Sequence, residues 1–429
     1  MEKNTVKIGL MGLGTIGGGV VSLLGKNKGL IEKRLGLELC LERVLDKDLS
    51  RAEKIGFDQN RVTTDPSLVL DDPSIKIVIE LIGGIEPART FITRALKNGK
   101  FVVTANKDLM ARHGQELLVL ARENNSNIFY EGSVGGGIPL IRSLRHSLIA
   151  DRIHRVVGIV NGTTNYIFTR MAVDDLNLQE ALAEAQKLGF AEANPTNDVE
   201  GLDAAYKLVV LAGLVFGMRV DPDDIYIQGI TRVAREDIAY ARELGYSIKL
   251  LAIGEQLPAG LALRVHPALV PLDHPLSSVL YEFNAVFIEG DAVGELMYYG
   301  RGAGAKPTAT AVLADVAEAA RSIQSPQADR TLENSSREAR LVPVSELINR
   351  FYLRFLAEDR PGVFAALANA FGDEMVSLDM VIQKRRVGPM AEIVLVTHKV
   401  QEAAFQRALE KAMKIEAIKP NPSMLRLLG

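Results

Sequence analysis

Residues 9–20 read GLMGLGTIGGGV, ending an apolar stretch at 5–11 (TVKIGLM) and opening a helical pattern over 15–25. Gly12, Gly14 and Gly17 thus form G-x-G-x-x-G between a strand and a helix, and no other feature constrains the fold as tightly. The first glycine permits a tight turn and the second lets backbone approach a pyrophosphate. The third lets the helix lie close to the strand, so that its N-terminus, with Thr15 and Ile16 in the first turn, faces the anion. A glycine-rich turn without a ligand is the alternative, and the strand-to-helix setting argues against it.

The rest of the first 150 residues keep this rhythm. Strands are expected at 37–45, 75–82, 101–105 and 127–131, and helices at 50–55, 87–98 and 108–123. Short apolar strands separated by helices indicate an α/β fold with a parallel sheet covered on both faces, a Rossmann-type domain. Asp46 ends the second strand, where a carboxylate would bind an adenosine ribose and favour NAD. Lys47 and Arg51 beside it would suit the 2′-phosphate of NADP, and the sequence leaves both open.

From 151 helices at 163–172, 178–188 and 201–217 precede strands at 247–254, 261–270, 284–290 and 294–300, an α+β pattern. A helix over 307–323 is expected to return to the first domain. Residues 324–349 are polar and read as a linker. Strands at 351–357, 376–384 and 391–398, helices at 361–372 and 401–413 and an extended piece at 415–427 then make a βαββαβ, ferredoxin-like module. The expected domains are therefore 1–150 with 307–323 (dinucleotide-binding), 151–306 (substrate) and 350–429 (C-terminal).

With 429 residues the chain has room for about three domains. Its net charge of −3, with basic residues spread along the chain, argues against a nucleic-acid partner. The single cysteine, Cys40, allows no internal disulfide and no thiolate metal cluster, and fits a reducing cytoplasm. The longest apolar run, 208–218, is well short of the ~20 residues that span a bilayer. A cytoplasmic protein without a membrane partner is expected.

Four segments hold more polar chemistry than folding requires. TANKDLM sets Lys107 at the carboxyl end of a strand, where open α/β sheets bind ligands. YEGSVGGGIPL runs from Glu131 into a glycine turn, which either starts a helix or offers oxygens to a hard monovalent cation. In GIVNGTTNYIF, Asn161 to Thr164 precede a helix, as caps or as amides for a substrate carboxylate. EANPTNDVEGLDAAYKL gathers Glu192, Asp198, Glu200 and Asp203 ahead of Lys207, with Asp203 and Lys207 one helical turn apart. An exposed ion pair is the commoner meaning of that spacing. Here the helix continues as LVVLAGLVFGM, apolar all round and so expected to be buried, and buried carboxylates need a cationic partner such as a substrate ammonium.

These motifs, with YYGRGAGAKPTATAVLAD at 298–315, resemble homoserine dehydrogenase in content and order over the chain to about 320. The remainder, with AEDRPGVFAALANAF, resembles an ACT regulatory domain. The resemblance implies reversible hydride transfer between NAD or NADP and L-homoserine/L-aspartate 4-semialdehyde. It carries over Lys207 as acid/base with Asp203 beside it, Glu192 and Asp198 at the substrate ammonium, and Thr163 at the carboxylate. It also carries over Lys107 between nicotinamide and substrate, Gly189 and Gly304 at the cofactor, and a sodium site of Glu131 with the carbonyls of Val134, Gly136 and Ile138. Asn194 and Asn197 stand where many relatives have other residues, which bears on substrate affinity. It further implies a substrate domain that dimerises, a homodimer or homotetramer, and feedback by an amino acid such as threonine. A free lysine, of pKa about 10.4, is protonated at neutral pH. Homoserine oxidation, which needs it neutral, is therefore expected to rise into the alkaline range.

Two rivals fit less well. An acylating semialdehyde dehydrogenase needs a cysteine nucleophile, and Cys40 falls inside an expected strand. A dinucleotide-binding redox sensor with a C-terminal ligand module would need an output surface, and would leave Asp203 and Lys207 unexplained.

Overall fold

The structure is a computed structural model describing residues 5–324 and 338–429, so 325–337 of the expected linker lie outside the described residues. The first part of the chain runs β1 (Thr5–Met11), α1 (Thr15–Leu35), β2 (Glu38–Leu45), α2 (Ser50–Lys54), β3 (Val62–Thr63) and α3 (Ser67–Leu70). It continues as β4 (Ile75–Glu80), α4 (Ala88–Lys97), β5 (Phe101–Thr104), α5 (Lys107–Glu123) and β6 (Ile128–Phe129). Next come β7 (Ile153–Ile159), α6 (Gly162–Asp174), α7 (Leu178–Lys187), α8 (Thr196–Val199), α9 (Leu202–Val215), β8 (Tyr226–Ile227) and α10 (Arg235–Glu243). The hairpin strands β9 (Tyr246–Leu257) and β10 (Gly260–Pro271) precede β11 (Phe283–Gly290), β12 (Gly294–Arg301) and α11 (Ala305–Gln324). Last are β13 (Ile348–Glu358), α12 (Val363–Gly372), β14 (Leu378–Val387), β15 (Met390–Thr397), β16 (Val400–Gln401), α13 (Glu402–Ala412) and β17 (Ser423–Leu427).

The chain divides into two compact units. The first takes Met1–His154, Tyr206–Asp224 and Asn284–Ala339, and the second takes Arg155–Ala205, Ile225–Phe283 and Arg340–Gly429. In the first, six parallel strands lie in the order β3-β2-β1-β4-β5-β6, the arrangement of a doubly wound dinucleotide-binding sheet. Its core of Ile8, Leu10, Ile77, Ile79 and Val103 is joined by Val312, Val316, Ala319 and Ala320 of α11, which packs against α1. Helix α1 runs ten residues beyond its expected end. Gly25 and Gly29 weaken a helix by only about 1 kcal/mol each, and Ile31 and Leu35 pack on the core. The stop comes at Gly36, whose left-handed conformation (φ 71°) lets its amide cap the Glu32 carbonyl.

In the second unit one sheet runs β7-β9-β10-β17-β13-β15-β14. β17 pairs in parallel with β10 and antiparallel with β13, so the C-terminal βαββαβ module shares its sheet with β9 and β10. Phe351 of β13 stacks on Phe405 of α13 with ring centroids 3.6 Å apart, inside a core shared with Phe355 and Phe371. In the first turn of α10 the fully buried Asp237 carboxylate accepts from Arg354 Nε (2.7 Å), the Tyr352 hydroxyl (3.1 Å) and the Ser423 hydroxyl (2.8 Å). Burial opposes the Arg354 charge, and its bond to Asp237 outweighs that and holds the guanidinium firmly protonated.

Lys249 of β9 is buried, its ammonium donating to Asn165 Oδ1 (3.1 Å) and to the Val279 carbonyl. Burial pushes its pKa down from 10.5 to about 8. The unfolded chain therefore binds the extra proton between those values, and stability gains with rising pH across that window. The wild-type advantage over Lys249→Met should grow between pH 8 and pH 10.5 by up to about 3 kcal/mol. Urea titrations across the window would reveal it, and parallel pH profiles would exclude it.

Candidate active site

The glycine loop leaves no room for a side chain at Gly12 or Gly17. Gly12 has φ 100°, and a Cβ on Gly17 would lie 2.0 Å from the Gly12 carbonyl oxygen. Gly14 precedes α1, Thr15 and Ile16 form its first turn, and nothing lies within 4 Å of a Cβ built on Gly14. The buried Asp46, just past β2, accepts from the Leu13 amide through Oδ2 (2.5 Å) and from the Asp48 amide through Oδ1 (2.8 Å). Arg51 Nη1 approaches Oδ2 at 3.5 Å. Asp46 thus ties the glycine loop to the end of β2. Gly304 (φ 119°) precedes α11, whose Ala305 carbonyl lies against Gly19 of α1.

The ends of β4 and β5 are cross-tied. The fully buried Glu80 accepts from the Ile82 amide (2.8 Å) and the Thr104 hydroxyl (2.7 Å). The Thr104 oxygen in turn accepts from the Asn106 amide (3.0 Å), and Asn106 Oδ1 caps α5 at Leu109 (3.1 Å). Lys107 is the first residue of that helix, with Nζ 3.5 Å from Asp108. One turn further, Arg112 donates to the Tyr206 hydroxyl (3.1 Å) and to Asp223 (3.0 Å), so α5 is fastened to the residue beside Lys207.

In the second unit a single side chain joins two of the expected carboxylates. Asn161 accepts from the Thr164 amide through Oδ1 (2.8 Å), capping α6. Its Nδ2 donates to Asp198 Oδ1 (2.7 Å) and to Asp203 Oδ2 (2.8 Å). Asp203 is buried in the first turn of α9, and Lys207 follows one turn later on the same helix, half-buried. The Thr163 hydroxyl donates to the Phe190 carbonyl (2.7 Å), and Gly189 (φ 78°) ends the turn after α7. Glu192 is exposed, its carbonyl accepting from Gln186 (3.0 Å). The run 208–218 is not buried throughout. Its first half is, but Gly213 is exposed and Leu214 half-buried, because they line a cavity of about 80 Å³ with Met110 and Leu118.

Residues 139–317 match the homoserine dehydrogenase family, residues 12–131 the homoserine dehydrogenase NAD-binding domain, and residues 351–417 the ACT domain. A homoserine dehydrogenase of Synechocystis is 44% identical over 99% of this chain and 100% of its own length. That of Bacillus subtilis is 41% identical over 99% and 98%. A solved homoserine dehydrogenase from Thiobacillus denitrificans, 39% identical, superposes with a TM-score of 0.94 over 99% of both chains. The chain belongs to the homoserine dehydrogenase family. It is an NAD(P)-dependent oxidoreductase of threonine and methionine biosynthesis, and its ACT domain points to feedback regulation. No described helix is long and apolar enough to cross a membrane.

The Glu131 turn is a closed acidic site. The buried Glu131 carboxylate accepts from the amides of Ile141 (2.7 Å) and Arg142 (2.8 Å). Its own amide donates to Asp315 Oδ2 (2.8 Å), and Arg142 bonds Asp315 (2.9 Å) and Glu318 (2.5 Å). Burial pushes both acids up, Asp315 well above the usual carboxylate range and further raised by Glu131. Val134 and Ile138 are buried in the same turn, where Gly136 (φ 52°) leaves no space for a Cβ against the Gly302 carbonyl oxygen.

Sequence reasoning overlooked Glu80, Thr104 and Arg112, and read Asn161 only as a cap or an amide donor. The polar pair Thr104 and Asn106 at a strand end was an available signal; nothing local marks Glu80 or Arg112.

Proposed function

We propose that Lys207 takes the hydroxyl proton of L-homoserine as a hydride leaves the carbon that bears that hydroxyl, and returns the proton to the oxygen in the reduction of L-aspartate 4-semialdehyde. A nicotinamide coenzyme, held at the glycine loop of Gly12, Gly14 and Gly17, would take up or supply that hydride. The alkoxide that would otherwise develop needs a proton donor within hydrogen-bond reach, and a lysine is that donor. Asp203 and Asp198 act on the substrate side of the lysine, with Glu192 at the ammonium and Thr163 at the carboxylate. By the family resemblance Lys107 would act at the nicotinamide, and Gly189 and Gly304 at the cofactor.

The observation that carries this reading is the Asn161 bridge. Two carboxylates drawn onto one amide, one of them buried a turn ahead of Lys207, form an anionic group beside the lysine whose chemistry suits an amino-acid ammonium. The coenzyme preference follows from Asp46. Its two oxygens already serve backbone amides, with Arg51 alongside, an arrangement that supports NADP at least as well as NAD.

A sodium ion fits the Glu131 turn by its donor chemistry: one carboxylate and the carbonyls of Val134, Gly136 and Ile138 are all hard oxygens. The Ile138 carbonyl accepts one bond, from the Leu140 amide, which leaves a lone pair for a ligand. Its role would be to stiffen the turn. Threonine as effector, a homodimer or homotetramer, and a cytoplasmic setting belong to the same proposal.

Steady-state oxidation of L-homoserine with NAD and with NADP tests it, on wild type and Asn161→Ala. Loss of the bridge should raise KM roughly tenfold, the equivalent of one charge-assisted hydrogen bond, and change kcat less. A well-folded wild type that turns over with neither coenzyme would reject the reading. An unchanged KM in the variant would remove Asn161 from it.

A further inference from the structure

Glu80 closes a ring of hydrogen bonds that spans the ends of β4 and β5. Its Oε1 accepts from the amides of Ile82 (2.8 Å) and Gly83 (3.2 Å), and its Oε2 from the Thr104 hydroxyl (2.7 Å). The Thr104 oxygen accepts from the Asn106 amide (3.0 Å), and Asn106 Nδ2 donates to the Gly84 carbonyl (2.6 Å). A fully buried carboxylate in an apolar strand is costly unless its lone pairs are used. Here they are used by two amides and a hydroxyl, so the side chain fastens the loop after β4 to the end of β5.

The fastened loop has an open surface. Gly83 and Gly84 are exposed and both left-handed (φ 80° and 72°), a succession that glycine alone adopts readily. Nothing lies within 4 Å of a Cβ built on Gly83, and a Cβ on Gly84 meets only the Glu86 carbonyl oxygen, at 4.0 Å. The loop also begins against the glycine turn. The Leu81 amide donates to the Met11 carbonyl (2.8 Å), and a Cβ on Gly12 would lie 2.7 Å from the Leu81 carbonyl oxygen. In a sheet of order β3-β2-β1-β4-β5-β6 a dinucleotide binds across the carboxyl ends where the order reverses, between β1 and β4. A carboxylate just past β2, here Asp46, is the place of the adenosine ribose, which leaves β4 and β5 to the other half of the molecule.

We infer that Glu80 is a positioning residue for the nicotinamide half of the coenzyme. Through Thr104 and Asn106 it holds the Gly83–Gly84 backbone as the floor for that half, and it fixes the start of α5, where Lys107 stands. This role rests on the coenzyme reading of the glycine loop and is independent of the one given to Lys207.

Equilibrium binding to the full chain tests it without turnover. Fluorescence titration gives the dissociation constants of NADPH and NADH. Calorimetry gives those of ADP and its 2′-phosphate, which carry the adenosine half and the pyrophosphate alone. Glu80→Gln and Thr104→Val cut the same bond from its two ends with little change of shape. Asn106→Ser keeps a hydroxyl to cap α5 but is too short to reach Gly84. Each should weaken the coenzyme that the wild type prefers about tenfold, the worth of one hydrogen bond, while the matching fragment changes by less than about twofold. Thr104→Ser, which keeps the hydroxyl, should bind both as the wild type does. Fragment binding at the wild-type level also certifies that a variant is folded, and any one folded variant decides the matter. Equal losses of coenzyme and fragment signify a general disturbance and overturn the assignment, as does coenzyme binding left unchanged. A wild type that binds neither coenzyme overturns the coenzyme reading, and the assignment with it.

Discussion

Lys207→Ala is expected to lower kcat for homoserine oxidation by roughly 10²–10⁴-fold, the usual contribution of a positioned acid/base, while the dissociation constant for NADPH stays near its wild-type value. The lysine is carried by α9 one turn after Asp203, and Asp203 is fixed by Asn161 rather than left to swing. The coenzyme loop depends on other residues, Gly12, Gly17 and Asp46. Binding and chemistry therefore separate, and the chain has no tryptophan to obscure reduced-coenzyme fluorescence. Rapid-mixing measurement of the hydride step in both directions gives the cleanest readout. A variant that turns over within a few-fold of wild type, with the same pH profile, would assign the proton to another group.

Asp237→Ala is expected to destabilise the second unit by about 3–5 kcal/mol, the range for stripping the partner from a buried ion. Asp237 receives Arg354, Tyr352 and Ser423, and caps α10 through the Ala234 amide (2.9 Å). Without it Arg354 keeps, among the described residues, Glu392 at 3.1 Å, and the buried Tyr352 and Ser423 hydroxyls lose an acceptor. Denaturant unfolding of the variant beside Asp237→Asn separates charge from shape, since the amide keeps the acceptor oxygen. A loss below 1 kcal/mol in the alanine variant would mean that Glu392 alone suffices.

Much of this architecture could be read before any coordinates. The glycine spacing announces the parallel sheet, because only glycine tolerates φ 100° at Gly12 and the approach at Gly17. The C-terminal module declares itself by alternating apolar strands and two amphipathic helices. Short elements escaped notice: β3, α3 and β8 have two to four residues, too few to show a period, and α10 is dominated by charged residues. At the site the residue types were legible and their connections were not. Asn161 looks like a cap and is one, yet its other end crosses 37 and 42 positions of sequence to reach Asp198 and Asp203. An amide has a donor end and an acceptor end, and local pattern reveals only the one that serves its own helix. Glu80 is similar, a carboxylate in an apolar strand whose use depends on Thr104 of the neighbouring strand.

The position of β17 between β10 and β13 bears on how such chains change by recombination. A regulatory segment tethered by a string can be lost or traded without disturbing what it regulates. Here a cut before the module would leave β10 with β8 at Arg264 and Val265 but strip it of β17, opening the edge at Ala268 and Leu269 that Arg426 and Leu427 now pair. An unpaired edge invites association with other chains. Lineages that shed the module must therefore acquire a charged, shortened or newly covered edge in the same passage.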